Sequence, residues 1–337
     1  MAPQAPRCDA VLIVSFGGPE AREEVVPFLE NVLRGRNVPR QRLLEVAEHY
    51  YHLGGRSPIN DQNRALVAAL TAEFARSGPA LPIYWGNRNW RPLLADTVAR
   101  MRDDGVRHAL AFVTASFGSF SGCRQYLDDI AAARAAVGPG APEIRKLRLF
   151  YNHPGFIRAW VARVEEALAA VPAAERAGIP LLFSAHSIPL GMARSSPYVA
   201  QLQAASQWVA EGLGRQEYRL AYQSRSGPPS QPWLEPDVNT ALEDLARTGA
   251  GAVLVAPLGF LSDHMEVAYD LDCEARQTAE RLGLRLLRAA TPGTHPALIA
   301  MIRELILERL EPGRSRGVMP GSKIWPDDCP ADCCLPQ

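Results

Sequence analysis

Eight short apolar runs, separated by amphipathic stretches, constrain the fold of this chain more than any other feature. They lie at 10–15, 81–85, 108–114, 146–151, 180–184, 218–222, 251–256 and 284–288. Most of the intervals hold residues at helical spacing, such as Val25, Phe28, Leu29 and Val32, or Leu66, Ala69, Leu70 and Phe74, or Leu242, Leu245 and Ala246. Short apolar strands alternating with helices predict an α/β protein with parallel strands covered on both faces. Eight of them make either a closed barrel or two doubly wound sheets of about four strands each. A strand and turn near the start, "VSFGGPE", and a similar strand and turn in the second half, "LFSAHSIP", favour two sheets. No low-complexity linker divides the halves, so they are expected to share a tight interface.

Hydrophobic residues make up 47% and charged residues 21%, as in ordinary globular proteins. Lys+Arg and Asp+Glu both total 36. This balance gives no basic surface for a polyanion, and no nucleic-acid partner is expected. No apolar stretch reaches the roughly 18 residues that cross a bilayer. "MAPQAPRCDAVLIVSF" lacks a basic start followed by a long apolar region. A cytoplasmic protein is expected, with peripheral membrane contact still open, either as a monomer or as a homodimer.

In open parallel sheets, sites form beyond the C-terminal ends of strands. There lie "SFGG" (15–18), "GNRNW" (86–90), "TASFGSFSG" (114–122), His186, "QSRSGPP" (223–229) and "PLGFLSDHMEV" (257–267). His186 stands where the apolar run of its strand stops. A neutral imidazole there can cap the strand, ligate a metal or take protons near neutral pH. Glu266, Asp270 and Glu274 recur at i, i+4 and i+8, with Asp263 and His264 just before them. On a helix they form one acidic line, whose like-charge pairs cost about 0.2–0.5 kcal/mol each. Such a line suits a divalent cation or a solvated helix face.

The last regular element expected is a helix over 296–310. The tail beyond it is rich in Pro, Gly and Cys and has little periodicity, so something must fix it. Cys329, Cys333 and Cys334 supply three of the chain's six cysteines within six residues. In a reducing compartment such a cluster favours metal over disulfide. A four-thiolate site needs one more ligand, from Cys8, Cys123 or Cys273.

"LLFSAHSIP", "PLGFLSDHMEVAYDLDCE" and "QSRSGPPSQPWLEP" closely resemble ferrochelatases, as do "SFGGPE", "HYYHLGGRSPIN" and "GNRNW". The matches run through nearly the whole chain in the expected order. The resemblance implies a chelatase fold of two similar Rossmann-like domains, each a four-stranded parallel sheet flanked by helices. The N-terminal domain is expected at 1–118 with a returning helix at 295–312, the C-terminal domain at 119–294, and the tail at 313–337. The activity implied is insertion of Fe2+ into a porphyrin, protoporphyrin IX or coproporphyrin III, in haem biosynthesis. His186 matches the family's catalytic histidine, Glu266 the carboxylate facing it, and His264 its neighbour. Asp270 and Glu274 match acidic positions on a helix that family members distort toward π geometry, where they would serve as an iron route.

Phe16 stands where some members place a tyrosine that can reach the metal, so it can only pack. Phe16, Ser57, Pro58 and Ile59, with Arg56, Arg88 and Arg225 as donors to porphyrin propionates, are the expected substrate contacts. A subset of the family holds a 2Fe–2S cluster with one internal cysteine and three in the tail. That resemblance assigns Cys123, in "SFSGCRQYLDDI", together with Cys329, Cys333 and Cys334. Structural zinc and unliganded thiols are the rivals. A sirohydrochlorin-type chelatase is the alternative enzyme, though such proteins tend to be shorter or duplicated, without this tail. A non-catalytic tetrapyrrole carrier or metal sensor on the same fold is the alternative outside enzymes.

Overall fold

The computed structural model describes residues 8–35, 38–228, 230–330 and 332–335. The first residues of the N-terminal stretch judged above for a leader lie outside them. Two four-stranded parallel sheets form the frame. The first comprises β1 (Ala10–Ser15), β2 (Ile83–Asn87), β3 (His108–Val113) and β4 (Glu143–Lys146) in the order β2-β1-β3-β4. The second comprises β5 (Leu181–His186), β6 (Arg219–Gln223), β7 (Ala252–Ala256) and β8 (Arg285–Arg288) in the matching order β6-β5-β7-β8. The repeated order makes the halves alike and rules out the barrel.

Burial follows the period-two alternation of a strand covered on both faces. Val11 and Ile13 enter a core shared by both halves, while Ala10, Leu12 and Val14 enter a core private to the first. Leu181, Phe183 and Leu254 likewise join the shared core, and Leu182, Val253 and Val255 a private one. The helices Ile59–Ser77, Pro154–Ala169 and Pro296–Leu310 pack together in the shared core. Its fully buried Leu, Ile and Phe side chains each contribute about 1.5–3 kcal/mol. The halves are therefore fused by their cores, as the missing linker suggested.

Two expectations shift. The apolar run 146–151 is not a strand: β4 precedes it at Glu143–Lys146 and pairs only with β3, as an edge. Leu147, Leu149, Phe150 and Tyr151 leave the sheet to fill the shared core, which accounts for their hydrophobicity. Because β4 completes the first sheet, that sheet extends past residue 118, where the domain boundary was expected. The second shift concerns β5, which continues beyond its apolar run. Ser184, Ala185 and His186 stay in register with Ala221, Tyr222 and Gln223, so ladder hydrogen bonds prolong the strand.

The tail is fixed by polar contacts. Arg148, buried, forms a two-pronged ion pair with Glu308 (2.8 and 2.9 Å) and donates to the Gly317 carbonyl (2.8 Å). Asn152 donates to Ser322 and to the Lys323 carbonyl, and Arg309 and Arg316 pair with Asp327. Among the described residues, no helix is long and apolar enough to cross a membrane.

Candidate active site and thiol cluster

His186 is the last residue of β5, beside Gln223 of β6. Its Nδ1 hydrogen-bonds the Ser187 carbonyl, which fixes the ring and leaves Nε2 to face the Glu266 Oε2 at 3.5 Å. His264 Nδ1 lies 3.8 Å from the same oxygen. Burial alone would depress the imidazole of His186, but the Glu266 carboxylate and its hydrogen bond outweigh it and hold the pKa above 6.5. For Glu266, burial favours the neutral acid and the two histidines override it, taking the pKa down to about 2. Both groups are surrounded by protein, yet 32% and 48% of their side chains stay accessible. Water therefore screens the pair and moderates both displacements.

Glu266 opens a short turn of α-helix, Met265–Val267, that passes into a π-helix over Ala268–Ala275. The π geometry implied by the resemblance is thus present, and such bulges often mark functional sites. Asp270 is raised to about 7 by burial, against the Ser224 hydroxyl that donates to its Oδ2. Ser224 reaches it from a left-handed backbone conformation (φ 63°) that non-glycine residues rarely adopt. Glu274 ends the line in solvent, its pKa raised by partial burial and by Asp237.

Gln223 was not singled out in the sequence, although it lies in a quoted motif. Ser184 donates to its Oε1 (2.8 Å), which aims the amide nitrogen between the Glu266 carbonyl and Asp270, both at 3.4 Å. Tyr50, within "HYYHLGG", was also missed. It is buried against Phe28 and Met265, and burial together with the nearby Glu266 charge keeps its phenol protonated.

Phe16 has 37% of its surface exposed and lies edge-on to Phe28 (6.3 Å). Ser57 and Ile59 are buried and brace Gly18, where an added Cβ would lie 2.7 Å from the Ser57 Cβ. Pro58 caps the helix Ile59–Ser77. Arg88 is not a free donor: it is 6% exposed, pairs with Asp129 and lies over the rings of Tyr126 (4.5 Å) and Phe16 (5.9 Å). Arg56 is exposed and pairs with Asp61, and Arg225 is exposed and donates to the Gln231 carbonyl. Asp263 leaves the acidic line to pair with Arg288.

The tail cysteines converge on Cys123. That residue lies in a five-residue π segment, Phe120–Arg124, opened by Ser119, whose Oγ accepts from the Gly122 amide (2.9 Å). Cys123 and Cys329 share a hydrogen bond, as do Cys329 and Cys333, while the Cys333 and Cys334 sulfurs are 3.5 Å apart. The hydrogen bond from Cys123 and the Lys146 ammonium hold the Cys329 thiol below its ordinary range, against burial. Cys8 instead donates to the Ala10 carbonyl, and Cys273 lies between Asp272 and Glu274. The four sulfurs form a string of neighbours. Among the described residues, no three His, Cys, Asp or Glu side chains surround one ion position.

Residues 8–310 match the ferrochelatase family. The chain is 50% identical over 333 residues to a ferrochelatase of Rhodopirellula baltica, covering 98% of this chain and 95% of that protein. It is 53% identical over 340 residues to a coproporphyrin III ferrochelatase of Frankia alni (97% and 87%). A coproporphyrin III ferrochelatase of Mycolicibacterium smegmatis is 50% identical over 326 residues (96% and 94%). The fold resembles the cobalt complex of the sirohydrochlorin chelatase SirB from Bacillus subtilis subspecies spizizenii (TM-score 0.54, 11% identity, 90% and 96% covered). It also resembles CbiX, the terminal enzyme of sirohaem biosynthesis in denitrifying bacteria (TM-score 0.51, 18% identity, 88% and 97% covered). At those identities the likeness is one of fold, whereas half-identity over nearly the full length carries the chemistry: the chain belongs to the ferrochelatase family, whose members insert ferrous iron into a porphyrin.

Proposed function

We propose that the porphyrin is coproporphyrin III and that His186, with Glu266, takes the pyrrole protons released as Fe2+ enters. The two relatives so named, each at least half identical, support the choice of porphyrin. The observation that carries the assignment of residues is the 3.5 Å approach of Nε2 to Oε2 while Nδ1 is tied to Ser187. In the neutral tautomer Nδ1–H donates to that carbonyl, so Nε2 is a bare, partly accessible acceptor beside Glu266. Each insertion exchanges two pyrrole protons for one Fe2+. A proton reaching Nε2 is stabilised by the adjacent carboxylate, which stays ionised at all working pH values.

Asp270, titrating near neutrality, and exposed Glu274 form the path by which cation or proton passes between cleft and solvent. His264, 3.8 Å from the same carboxylate oxygen, helps to hold Glu266. Phe16 supplies a ring on which a macrocycle can rest and offers no oxygen to the iron. A pocket that favours a bent macrocycle would lower the barrier further, by turning pyrrole lone pairs toward the entering cation. The two sheets and their helices would act as two domains in a cytoplasmic enzyme.

Cys123, Cys329, Cys333 and Cys334 would hold a 2Fe–2S cluster. The string of sulfurs suits two irons with two thiolates each better than one tetrahedral zinc. When bound, such a cluster supplies one-electron redox chemistry, which insertion does not use. Lys146 offsets part of the thiolate charge.

The test is anaerobic insertion, followed by absorption, with Fe2+ and either coproporphyrin III or protoporphyrin IX. His186→Ala should bind porphyrin and fail to metallate it. Wild-type turnover by that variant refutes its assignment, and faster wild-type turnover on protoporphyrin IX refutes the choice of porphyrin.

A further inference from the structure

Arg288, the last residue of β8, lies in contact with two acids nine positions apart. Its Nη2 is 2.9 Å from the Asp263 Oδ1 and its Nε 3.0 Å from the Asp272 Oδ1. Only 13% of the arginine side chain is exposed. Asp263 stands in the turn after β7, and Asp272 lies within the π-helix. Between them, on a chain tethered at both ends, come His264, Glu266 and Asp270. The Asp263 amide also donates to the Gln62 Oε1 (2.8 Å), which ties the first tether to the helix Ile59–Ser77 of the other half.

A π-helix is rarer than an α-helix and is usually confined to a single turn. Eight residues of it, Ala268–Ala275, need tertiary restraint, or the segment rewinds and turns Asp270 relative to Glu266. The acids along it repel one another, which adds to the tendency to relax. Arg288 answers both demands. A guanidinium spreads its charge over separate nitrogens on a rigid plane, so one residue can form ion pairs with two carboxylates and offset the charge of both. Lysine, a single point charge, can hold one of them firmly.

We propose that Arg288 is a positioning residue for metal insertion, clamping Asp263 and Asp272 so that Glu266 stays opposite His186 and Asp270 stays behind it. The ion pairs of the arginine are with Asp263 and Asp272, not with Glu266. It acts through the segment it brackets, and the inference rests on the reading of His186 and Glu266 given above.

The experiment compares wild type, Arg288→Gln, Arg288→Lys and Asp272→Asn in anaerobic insertion of Fe2+ into coproporphyrin III, with porphyrin affinity measured by fluorescence quenching. Arg288→Gln should lose tenfold or more in kcat while porphyrin Kd stays within twofold, and Arg288→Lys should recover part of the loss. Asp272→Asn, which keeps the Asp263 arm, should lose about threefold and keeps the test open if Arg288→Gln does not fold. A bracing role alone would lower melting temperature and leave kcat per folded molecule unchanged. Wild-type kcat in folded Arg288→Gln, or in Asp272→Asn, overturns the clamp. Should His186→Ala also turn over normally, the catalytic reading fails; if His186→Ala is dead and Arg288→Gln is not, only the clamp fails.

Discussion

His186 and Glu266 come from the ends of two neighbouring strands, the first closing β5 and the second following the turn after β7, and their side chains meet at 3.5 Å. The pair makes each group's charged form easier to keep. His186 is held above 6.5, so the acid limb of kcat against pH should lie above that value, because the proposed acceptor must be neutral to work. Glu266→Gln should move the limb down toward the ordinary imidazole value, with lower kcat. The stability signs are opposite for the two groups. The His186 contribution is complete below 6.5 and disappears as pH rises through its elevated folded pKa. The Glu266 contribution is complete above 4.5 and disappears as pH falls toward about 2. Thermal melts from pH 3 to 9 should show Glu266→Gln abolishing both dependences; an unchanged kcat limb would separate it from His186.

Asp270 depends on Ser224. A hydroxyl donating to a carboxylate favours the ionised form, so its removal should push Asp270 above about 7. The iron kcat/KM of both Ser224→Ala and Ser224→Gly should then fall severalfold at pH 7 and recover as pH rises. Stability distinguishes the two variants. At φ 63° alanine retains a left-handed strain of about 1–2 kcal/mol that glycine does not carry, so Ser224→Gly should be the more stable to urea. Equal stability would mean the loop relaxes and does not hold the hydroxyl in place.

What the sequence discloses and what it hides divides along a physical line. Periodicity locates strands because burial on both faces demands unbroken apolar runs, and seven of the eight expected runs overlap their observed strands closely. The eighth fails because Leu147, Leu149, Phe150 and Tyr151 are apolar for the core, and composition does not distinguish a sheet from a core filler. The ends of strands identify the loops of the site, and His186, Glu266 and Asp270 do come together there. Orientation within a loop is a different matter. Arg88, expected as a propionate donor, is paired with Asp129 over the Tyr126 ring, and Ser57, expected as a substrate contact, packs against Gly18. Arg288 carries no local signal, because its two partners are remote in sequence and only the register of β8 delivers it.

The tail should remain docked without its thiols. Its anchor is the Arg148–Glu308 pair, with 1% and 3% of the side chains exposed, extended through Gly317 on both its carbonyl and its amide. Breaking a buried pair from one side strands the other charge and costs about 3–5 kcal/mol. Glu308→Ala should therefore lower stability by that order and expose 311–327 to protease. Cys123→Ser should bleach any brown colour of the purified protein and leave the segment protected. Rapid cleavage in Cys123→Ser would show that the cluster, and not the buried pair, holds the tail.

Gly259 provides a steric handle on the proposed acceptor. Its amide donates to the Ser184 carbonyl (3.0 Å), which brings the turn after β7 hard against β5. A Cβ at 259 would stand 2.7 Å from both the Cα and the Cβ of fully buried Ala185, and 3.5 Å from the His186 amide nitrogen. A backbone atom cannot rotate away, so Gly259→Ala must part the turn from the strand at the residue next to the imidazole. Overpacking of this kind costs about 1–3 kcal/mol. The same displacement should separate Nε2 from the Glu266 carboxylate and lower kcat about tenfold while porphyrin affinity is kept. Gly251→Ala is the control: a Cβ there meets nothing within 4 Å and its backbone is outside the left-handed region. It should be neutral or gain a few tenths of a kcal/mol from the less flexible unfolded chain. Anaerobic turnover beside a urea melt decides the matter. Undiminished kcat in a destabilised Gly259→Ala would mean that the imidazole and carboxylate tolerate a wider spacing than the one observed.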